Sequence, residues 1–169
     1  QSLPDFPDLN LEIKTLPINL QGKPLETTFI TTAPLLPDNI NYDFKSSLLF
    51  KKIQHILWLP IIVPKKLSHC FDERIIGNAF LWQPNQLELS LIETDWRELN
   101  EMILSGKIDA LSSYYGQIMQ IRPKAANSKA ITHSIDENGQ LTATLPRGFY
   151  FRTEFTKKIY LENNKSHIF

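Results

Sequence analysis

The hydrophobic and polar positions near the start of the chain alternate with a period of two. In the segment LNLEIKTLPI, Leu11 and Ile13 fall on one face, and Glu12 and Lys14 fall on the other. This period is typical of a half-buried β-strand. The next segment, LETTFITTAPL, is rich in β-branched and aromatic residues and ends at a proline, so it predicts a second strand. With a Gly-Lys pair at 22–23 between them, the two strands are predicted to form a hairpin.

Helical periodicity is clearest in the segment LELSLIETDWRELNEMILSG, and Gly106 is predicted to stop this helix. A shorter helix is predicted within residues 42–55, ahead of the strand ILWLPIIV. The segment IMQIRPK predicts a strand broken by Pro123, and NSKAITHSI predicts a helix capped by Asn127 or Ser128. The final segment predicts a turn, two strands and a closing helix. Strands interspersed with helices predict an α/β or α+β fold built around one sheet.

Length and composition place the chain among ordinary globular proteins. Its 169 residues fit a single domain with a hydrophobic core, and 42% of them are apolar and 21% charged. No apolar run approaches the roughly 20 residues that cross a bilayer, so no membrane association is expected. A single cysteine, Cys70, excludes an internal disulfide framework and favours a reducing compartment, so we predict a cytoplasmic protein. The tryptophans Trp58, Trp82 and Trp96 are assigned to packing.

The charge balance limits how the chain can bind a polyanion. Eighteen basic and 18 acidic side chains cancel, so any nucleic-acid contact must come from a local basic patch. The pairs at 51–52 and 65–66 and the C-terminal third of the chain supply such patches. A solvated charged face is the alternative explanation for each of them.

The segment DFPDLNLEIK combines three carboxylates with one lysine. On a strand, Glu12 and Lys14 point to the same side, which places an ammonium group beside a carboxylate. Asp5 and Asp8 lie upstream around a proline-containing turn, and either could return as the second carboxylate. Magnesium is held by a few carboxylates, a backbone carbonyl and retained waters, and it promotes phosphodiester hydrolysis. The segment therefore predicts either a metal-dependent nuclease centre or a solvated turn leading into an edge strand.

Longer stretches of the chain carry a family resemblance. In chain order they are LEIKTLPINLQGKPLETTFITTAPL, ILWLPI, TDWRELNEMILSGKI, MQIRPKAANSKA and LPRGFYFR. Together they resemble the MutH family, the strand-nicking endonucleases of methyl-directed mismatch repair. The resemblance implies a restriction-endonuclease-like fold, which is a mixed β-sheet flanked by helices. It also implies one domain over residues 1–169 without the family's N-terminal arm, which supplies one wall of the DNA cleft and a further glutamate.

The resemblance implies a catalytic site in the opening segment. The family's aspartate precedes a phenylalanine and lies seven residues before the glutamate of a Glu-x-Lys motif, which selects Asp5 rather than Asp8. Asp5, Glu12 and Lys14 are thus expected to be catalytic, with Asp5, Glu12 and the Ile13 carbonyl as metal ligands. The expected cofactor is Mg²⁺, for which Mn²⁺ substitutes. The implied reaction is a nick 5′ of the G in GATC, on the unmethylated strand of hemimethylated DNA.

The resemblance also assigns DNA contacts. Tyr150 is expected to sense methylation, because N6-methylation replaces a hydrogen of the adenine amino group in the major groove by an apolar methyl group. Arg122 is expected to read base edges, with Pro123 and Lys124 shaping the same loop. Phe29 matches a family aromatic near the recognition sequence. The alternative is that Phe29 and Tyr150 are core aromatics and that Arg122 is only a loop charge.

The remaining expectations concern Lys52 and the partners. Lys52 corresponds to a family lysine that is needed for full activity, and it is expected among the DNA-binding residues. The expected partners are DNA with hemimethylated GATC and the ATPase MutL, with MutS acting indirectly, and a monomer suffices for a single nick. Two alternatives stay open. One is a restriction endonuclease of the same lineage that cuts both strands at GATC, and the other is a non-catalytic DNA-recognition domain.

Overall fold

The structure is a computed structural model that describes residues 3–64, 74–111, 116–124 and 130–164. Strands and helices are interspersed along the chain, as the sequence predicts. Short 3₁₀ turns connect several of them. In chain order the elements are β1 (Leu11–Ile18), β2 (Thr28–Thr32), α1 (Leu48–Ile53), β3 (His55–Ile62), β4 (Ile75–Ile76), β5 (Phe80–Trp82), α2 (Gln86–Leu104), β6 (Met119–Pro123), β7 (Thr132–Ile135), β8 (Leu141–Thr144), β9 (Arg147–Phe151) and α3 (Thr153–Asn163).

The sheet around β3 is mixed. Strand β1 runs parallel to β3 over its whole length, from the Leu11–His55 pair to the Ile18–Ile62 pair, and β4 and β5 pair antiparallel with β3. Strands β2, β9 and β6 form a separate antiparallel sheet, and β7 and β8 form a two-stranded one. A mixed sheet with flanking helices confirms the predicted fold class. The prediction of one sheet is wrong, since the described strands are divided among three.

The predicted hairpin of β1 and β2 is also wrong. Only an isolated bridge between Ile18 and Pro24 closes the chain locally, and β2 pairs with β9 instead. Pairing with β3 over eight residues gives β1 a complete ladder. It also places Leu16 and Ile18 in the core with Ile56 of the neighbouring strand, all at 0–1% exposure. The Gly-Lys pair at 22–23 favours a local turn only weakly, and burial of these apolar side chains stabilises the pairing of β1 with β3 by more.

The three tryptophans lie in the core, as predicted. Trp58, Trp82 and Trp96 are between 0 and 6% exposed. The Trp82 ring packs edge to face against Phe151 of β9 and Phe155 of α3, with ring centres 6.1 and 6.0 Å apart. These contacts join the mixed sheet to the second sheet and to the last helix.

Helix α2 begins and ends where the sequence predicts. Asn85 and Glu88 form a reciprocal capping box at its start. At its end, Gly106 adopts φ +72°, a left-handed conformation that ends the helix. Glycine is suited to this position because a residue with a Cβ rarely adopts such a conformation.

The described residues contain no helix that is both long and apolar enough to cross a membrane.

The segment NSKAITHSI is not a helix where the structure describes it. Thr132–Ile135 is a strand that pairs with β8, and the predicted caps Asn127 and Ser128 lie outside the described residues. The connection is a tight turn in which Asp136 accepts hydrogen bonds from two backbone N–H groups, and Gly139 takes a positive φ. Two β-branched segments around such a turn form a hairpin, and this pairing outweighs the capping signal.

Candidate active site and nucleic-acid interface

Strand β1 turns its charged face toward the protein interior. Glu12 is only 3% exposed and shares its face with Leu16, whereas Ile13 on the opposite face is 37% exposed. The alternation predicted for this strand is present, but the face that carries the glutamate is the more deeply buried one. A carboxylate at such a position requires partners that compensate its charge.

Two lysines compensate the charge of Glu12. The ammonium group of Lys14, two residues along the strand, lies 2.8 Å from Oε1. Lys52, in the last turn of α1, donates to both carboxylate oxygens at 3.0 Å and is itself 6% exposed. The structure therefore places Lys52 in the buried cluster behind Glu12 and not on an open surface.

The chain before β1 folds back so that Asp5 lies beside Glu12. A 3₁₀ turn at Pro7–Leu9 and a left-handed residue at Asn10 (φ 49°) reverse its direction. The backbone N–H of Asp5 then donates to Glu12 Oε2 at 3.3 Å, and Asp5 Oδ2 accepts from the N–H of Ile13 at 2.9 Å. The side chain of Asp8 is exposed and makes no hydrogen bond or ion pair with the residues described.

The oxygens around β1 suit a hard divalent cation. Asp5 and Glu12 supply two carboxylates, and Ile13 between Glu12 and Lys14 supplies a backbone carbonyl. Within the described ranges, no group of three or more His, Cys, Asp or Glu side chains is arranged so that it could hold a metal ion. Magnesium keeps several waters and needs only one or two carboxylates, so this donor set fits it. In this conformation the ammonium groups of both lysines contact the carboxylate oxygens of Glu12. Binding of a metal ion to Glu12 therefore requires the Lys14 ammonium group to move away from Oε1.

A cleft of about 800 Å³ opens beside this cluster. It brings together residues from the two ends of the chain. Six of its lining residues are site residues that the family resemblance predicts: Ile13, Lys14, Phe29, Arg122, Pro123 and Tyr150. The ammonium group of Lys124 lies against the Phe29 ring of this cleft, 3.2 Å from the ring centre.

Phe29 and Tyr150 are half-buried cleft residues and not core aromatics. Their rings meet edge to face with centres 5.3 Å apart, across the pairing of β2 with β9. Burial raises the pKa of the Tyr150 hydroxyl, and the Arg122 guanidinium opposes this shift. Tyr150 therefore offers a neutral hydroxyl to whatever enters the cleft at neutral pH.

Positive charge is concentrated at the Lys124 end of the cleft. Desolvation lowers the pKa of the Lys124 amine, and the charges of Lys14 and Lys52 lower it further. The three ammonium groups thus repel one another in the free protein. An anion entering the cleft would relieve that repulsion.

Sequence reasoning missed two residues of this site. The Thr27 hydroxyl accepts a hydrogen bond from Arg122 Nη1 at 3.2 Å, across a sequence separation of 95 residues. Gly148 of β9 lies under Phe29, and a Cβ there would be 2.7 Å from Phe29 Cε2. Gly148 belongs to the LPRGFYFR string, but no local signal in the sequence indicates its partner.

Comparisons with known proteins agree on one family. The family profile described as "DNA mismatch repair enzyme MutH" matches residues 1–95, which is more than half of the chain. The DNA mismatch repair protein MutH of Shewanella sp. (strain W3-18-1) is 47% identical over 155 residues, 92% of this chain and 68% of that protein. The protein of the same name from Shewanella baltica (strain OS155) is 46% identical over 156 residues, with the same coverage.

The family profile includes the Asp5–Glu12–Lys14 cluster, and an alignment over 155 of the 169 residues necessarily includes β6 and β9. A sequence identity of nearly one half over nine-tenths of the chain is far more than is needed to infer a common fold and a common ancestor. Together with the mixed sheet and its flanking helices, it shows that the chain belongs to the MutH family of DNA mismatch repair enzymes.

Proposed function

We propose that this protein is a Mg²⁺-dependent endonuclease that nicks the unmethylated strand 5′ of the G in hemimethylated GATC sites. The observation that carries the proposal is the position of Lys14. Its ammonium group contacts Glu12 at 2.8 Å, and its side chain lines the same cleft as Arg122 and Tyr150. One residue therefore connects the predicted chemical centre with the predicted DNA-reading surface.

Asp5, Glu12 and the Ile13 carbonyl would hold the metal ion. When bound, Mg²⁺ supplies Lewis acidity for the phosphoryl oxygen and lowers the pKa of a coordinated water. Asp5 is suited to this role because one of its oxygens is oriented by the Ile13 N–H. Mn²⁺ is expected to substitute, because it accepts similar oxygen ligands.

Lys14 would orient the attacking water and stabilise the negative charge that develops on the phosphoryl group. It is 15% exposed, so its ammonium group is close to the cleft while remaining largely desolvated. An ammonium group in such surroundings interacts strongly with developing charge. Lys52 on the buried side would still compensate the charge of Glu12 and orient its carboxylate when Lys14 turns toward the phosphate.

Specificity would arise on the opposite wall of the cleft. Arg122 is suited to the O6 and N7 acceptors of guanine, and its guanidinium projects at the end of β6. The half-buried hydroxyl of Tyr150 is suited to probe the adenine amino group, where an added methyl group would clash or remove a hydrogen bond. Phe29 and Lys124 would support the same wall and contact the backbone of the site.

MutL is the proposed activating partner, with MutS acting through it. The proposal rests on membership of the MutH family, whose curated members are named DNA mismatch repair proteins. We expect MutL to increase nicking of hemimethylated GATC without changing which strand is cut. A single cleft suffices for one nick, so the proposed active form is a monomer.

The test is nicking of plasmids that carry one GATC site in unmethylated, hemimethylated or fully methylated form, with and without Mg²⁺ and MutL. The matched pair Asp5→Asn and Asp8→Asn separates the two upstream carboxylates. We expect Asp5→Asn and Lys14→Met to abolish nicking while DNA binding persists, and Asp8→Asn to behave as the wild type.

Other outcomes identify the alternatives. Cutting of both strands at unmethylated GATC would favour a restriction endonuclease. Tight GATC binding without cleavage under any metal condition would indicate a recognition domain and refute the proposed activity.

A further inference from the structure

The contact between Thr27 and Arg122 crosses a whole strand. Thr27 immediately precedes β2, and Arg122 lies on β6, while β9 pairs with both strands and separates them. The bond from Arg122 Nη1 to the Thr27 hydroxyl, 3.2 Å long, therefore reaches over β9. It joins two segments that share no backbone hydrogen bond.

Phe29 and Lys124 form a parallel contact two residues further along each segment. The Lys124 ammonium group lies 3.2 Å from the ring centre of Phe29. The Phe29 ring lies over Gly148 of β9, which pairs with Arg122 and has no side chain to obstruct the ring. We call the Thr27–Arg122 and Phe29–Lys124 contacts the cross-strand brace.

The Thr27 end of the brace stands between two clefts. Thr27 and Arg122 line the 800 Å³ cleft that contains Lys14 and Tyr150. They also line a neighbouring cleft of about 450 Å³, whose wall includes the carboxylate-bearing Glu154. An exposed arginine has several rotatable bonds, and the second cleft, which also contains Arg152, gives the Arg122 side chain a second direction in which to lie. The Thr27 hydroxyl holds one guanidinium nitrogen at the boundary and limits how far the side chain can turn.

We propose that Thr27 is a positioning residue that fixes the guanidinium of Arg122 for base reading, and thereby contributes to sequence discrimination. This inference rests on the proposed function, because it assumes that Arg122 reads a base. Bidentate recognition of guanine requires the plane of the guanidinium to be fixed, and a hydrogen bond from one Nη leaves the other nitrogens available. Thr27 itself need not touch DNA.

The test compares Thr27→Val, which keeps the shape and removes the acceptor, with Thr27→Ser, which keeps the hydroxyl. Thr32→Val, at the other end of the adjacent strand β2, is the matched control, since Thr32 is exposed and lies outside the 800 Å³ cleft. The measured quantity is the ratio of single-turnover nicking rates at GATC and at a site with its G replaced. We expect Thr27→Val to lower this ratio about 10-fold, as for loss of one hydrogen bond to a charged group. Thr27→Ser and Thr32→Val should keep the wild-type ratio.

A second readout does not depend on cleavage. ¹⁵N NMR of the free protein reports the rotation of the Arg122 guanidinium, assigned by the loss of its signal in Arg122→Lys. We expect slow rotation in the wild type and in Thr27→Ser, and fast rotation in Thr27→Val, with unchanged unfolding temperatures in all three proteins.

The inference is overturned if Thr27→Val keeps the wild-type discrimination ratio, or if Thr27→Ser loses as much as Thr27→Val. Absence of any site preference in the wild type would refute the proposed function instead. In that case the NMR signal decides the positioning role alone, and fast rotation of Arg122 in the wild type refutes it.

Discussion

Lys52 donates hydrogen bonds to both carboxylate oxygens of Glu12, at 3.0 Å each, across 40 residues of sequence. Both side chains are more than nine-tenths buried. Lys14 contacts Glu12 from the cleft side, so the carboxylate lies between a buried and a partly exposed ammonium group. If Lys14 turns toward a substrate, as the proposed function requires, Lys52 still compensates the charge of Glu12 in the interior.

Removal of Lys52 should destabilise the fold more than removal of its neighbour. Lys52→Met leaves Glu12 with less compensation in the interior, and we expect a loss of about 3 kcal/mol in the free energy of unfolding. Lys51→Met is the control, because Lys51 is exposed and next in sequence, and its effect should stay within about 0.5 kcal/mol. Urea unfolding at pH 7 measures both. Equal unfolding free energies for the two variants would contradict the structural role of the pair.

Asp95 should prove essential for the start of β6. Its buried carboxylate accepts three backbone N–H groups, from Gln117, Ile118 and Met119, at 2.7–2.9 Å. Asp95→Asn replaces one acceptor oxygen by a donor that faces an N–H, so we expect a loss of about 3 kcal/mol in unfolding free energy. Asp109→Asn, at a side chain that is 94% exposed, should be close to neutral. Hydrogen exchange of the three amides should accelerate only in the first variant.

A side chain at position 148 should displace Phe29. The added Cβ of Gly148→Ala would lie 2.7 Å from Phe29 Cε2 and 3.2 Å from the Thr31 carbonyl oxygen. We expect a loss of about 1–3 kcal/mol in unfolding free energy, as for overpacking. Phe29→Leu removes the obstructing ring edge, so the double variant should lose less than the sum of the single ones. Additive losses would show that Phe29 is not the group that the new methyl meets.

The amine of Lys124 should titrate below its ordinary pKa of 10.5. Desolvation is the main cause, and the charges of Lys14 and Lys52 add to it. Lys14→Met should therefore raise the pKa of Lys124 toward 10.5 without reaching it, whereas Lys158→Met should leave it unchanged. NMR titration of the Lys124 side chain measures this pKa, and an unchanged value in Lys14→Met would contradict the coupling.

The same shift predicts how stability depends on pH. Because the pKa is lower in the folded state, the charged amine disfavours folding by a constant amount below that folded pKa. This penalty is lifted as the pH rises from the folded pKa to 10.5, so Lys124 contributes a rise in stability over that alkaline window. Lys124→Met should remove this contribution. Unfolding free energies measured at several alkaline pH values, with Lys158→Met as the reference, test the expectation.

Much of the local structure could be predicted from the sequence, because its causes are local. The period of two in β1, the helical period of α2 and the stop at Gly106 depend on residues within a few positions of one another. The strings that resemble the MutH family likewise identified the residues of the cleft. The resemblance to the family, and not the local pattern, favours Asp5 over Asp8, and the structure places Asp5 at Glu12 through a tight turn.

The sequence by itself determined which segments form β1, α2 and β9, and which residue types meet at the cleft. Only the tertiary structure decided that β1 pairs with β3 and not with β2, because burial over a full ladder outweighs a short loop signal. It also decided that Glu12 faces the interior, since the charge of Lys52 arrives from a separate helix. The contact of Thr27 with Arg122 joins residues 95 apart in sequence. The contact of Gly148 with Phe29 depends on the pairing of β2 with β9, which lie more than 100 residues apart, and no local pattern encodes such pairings.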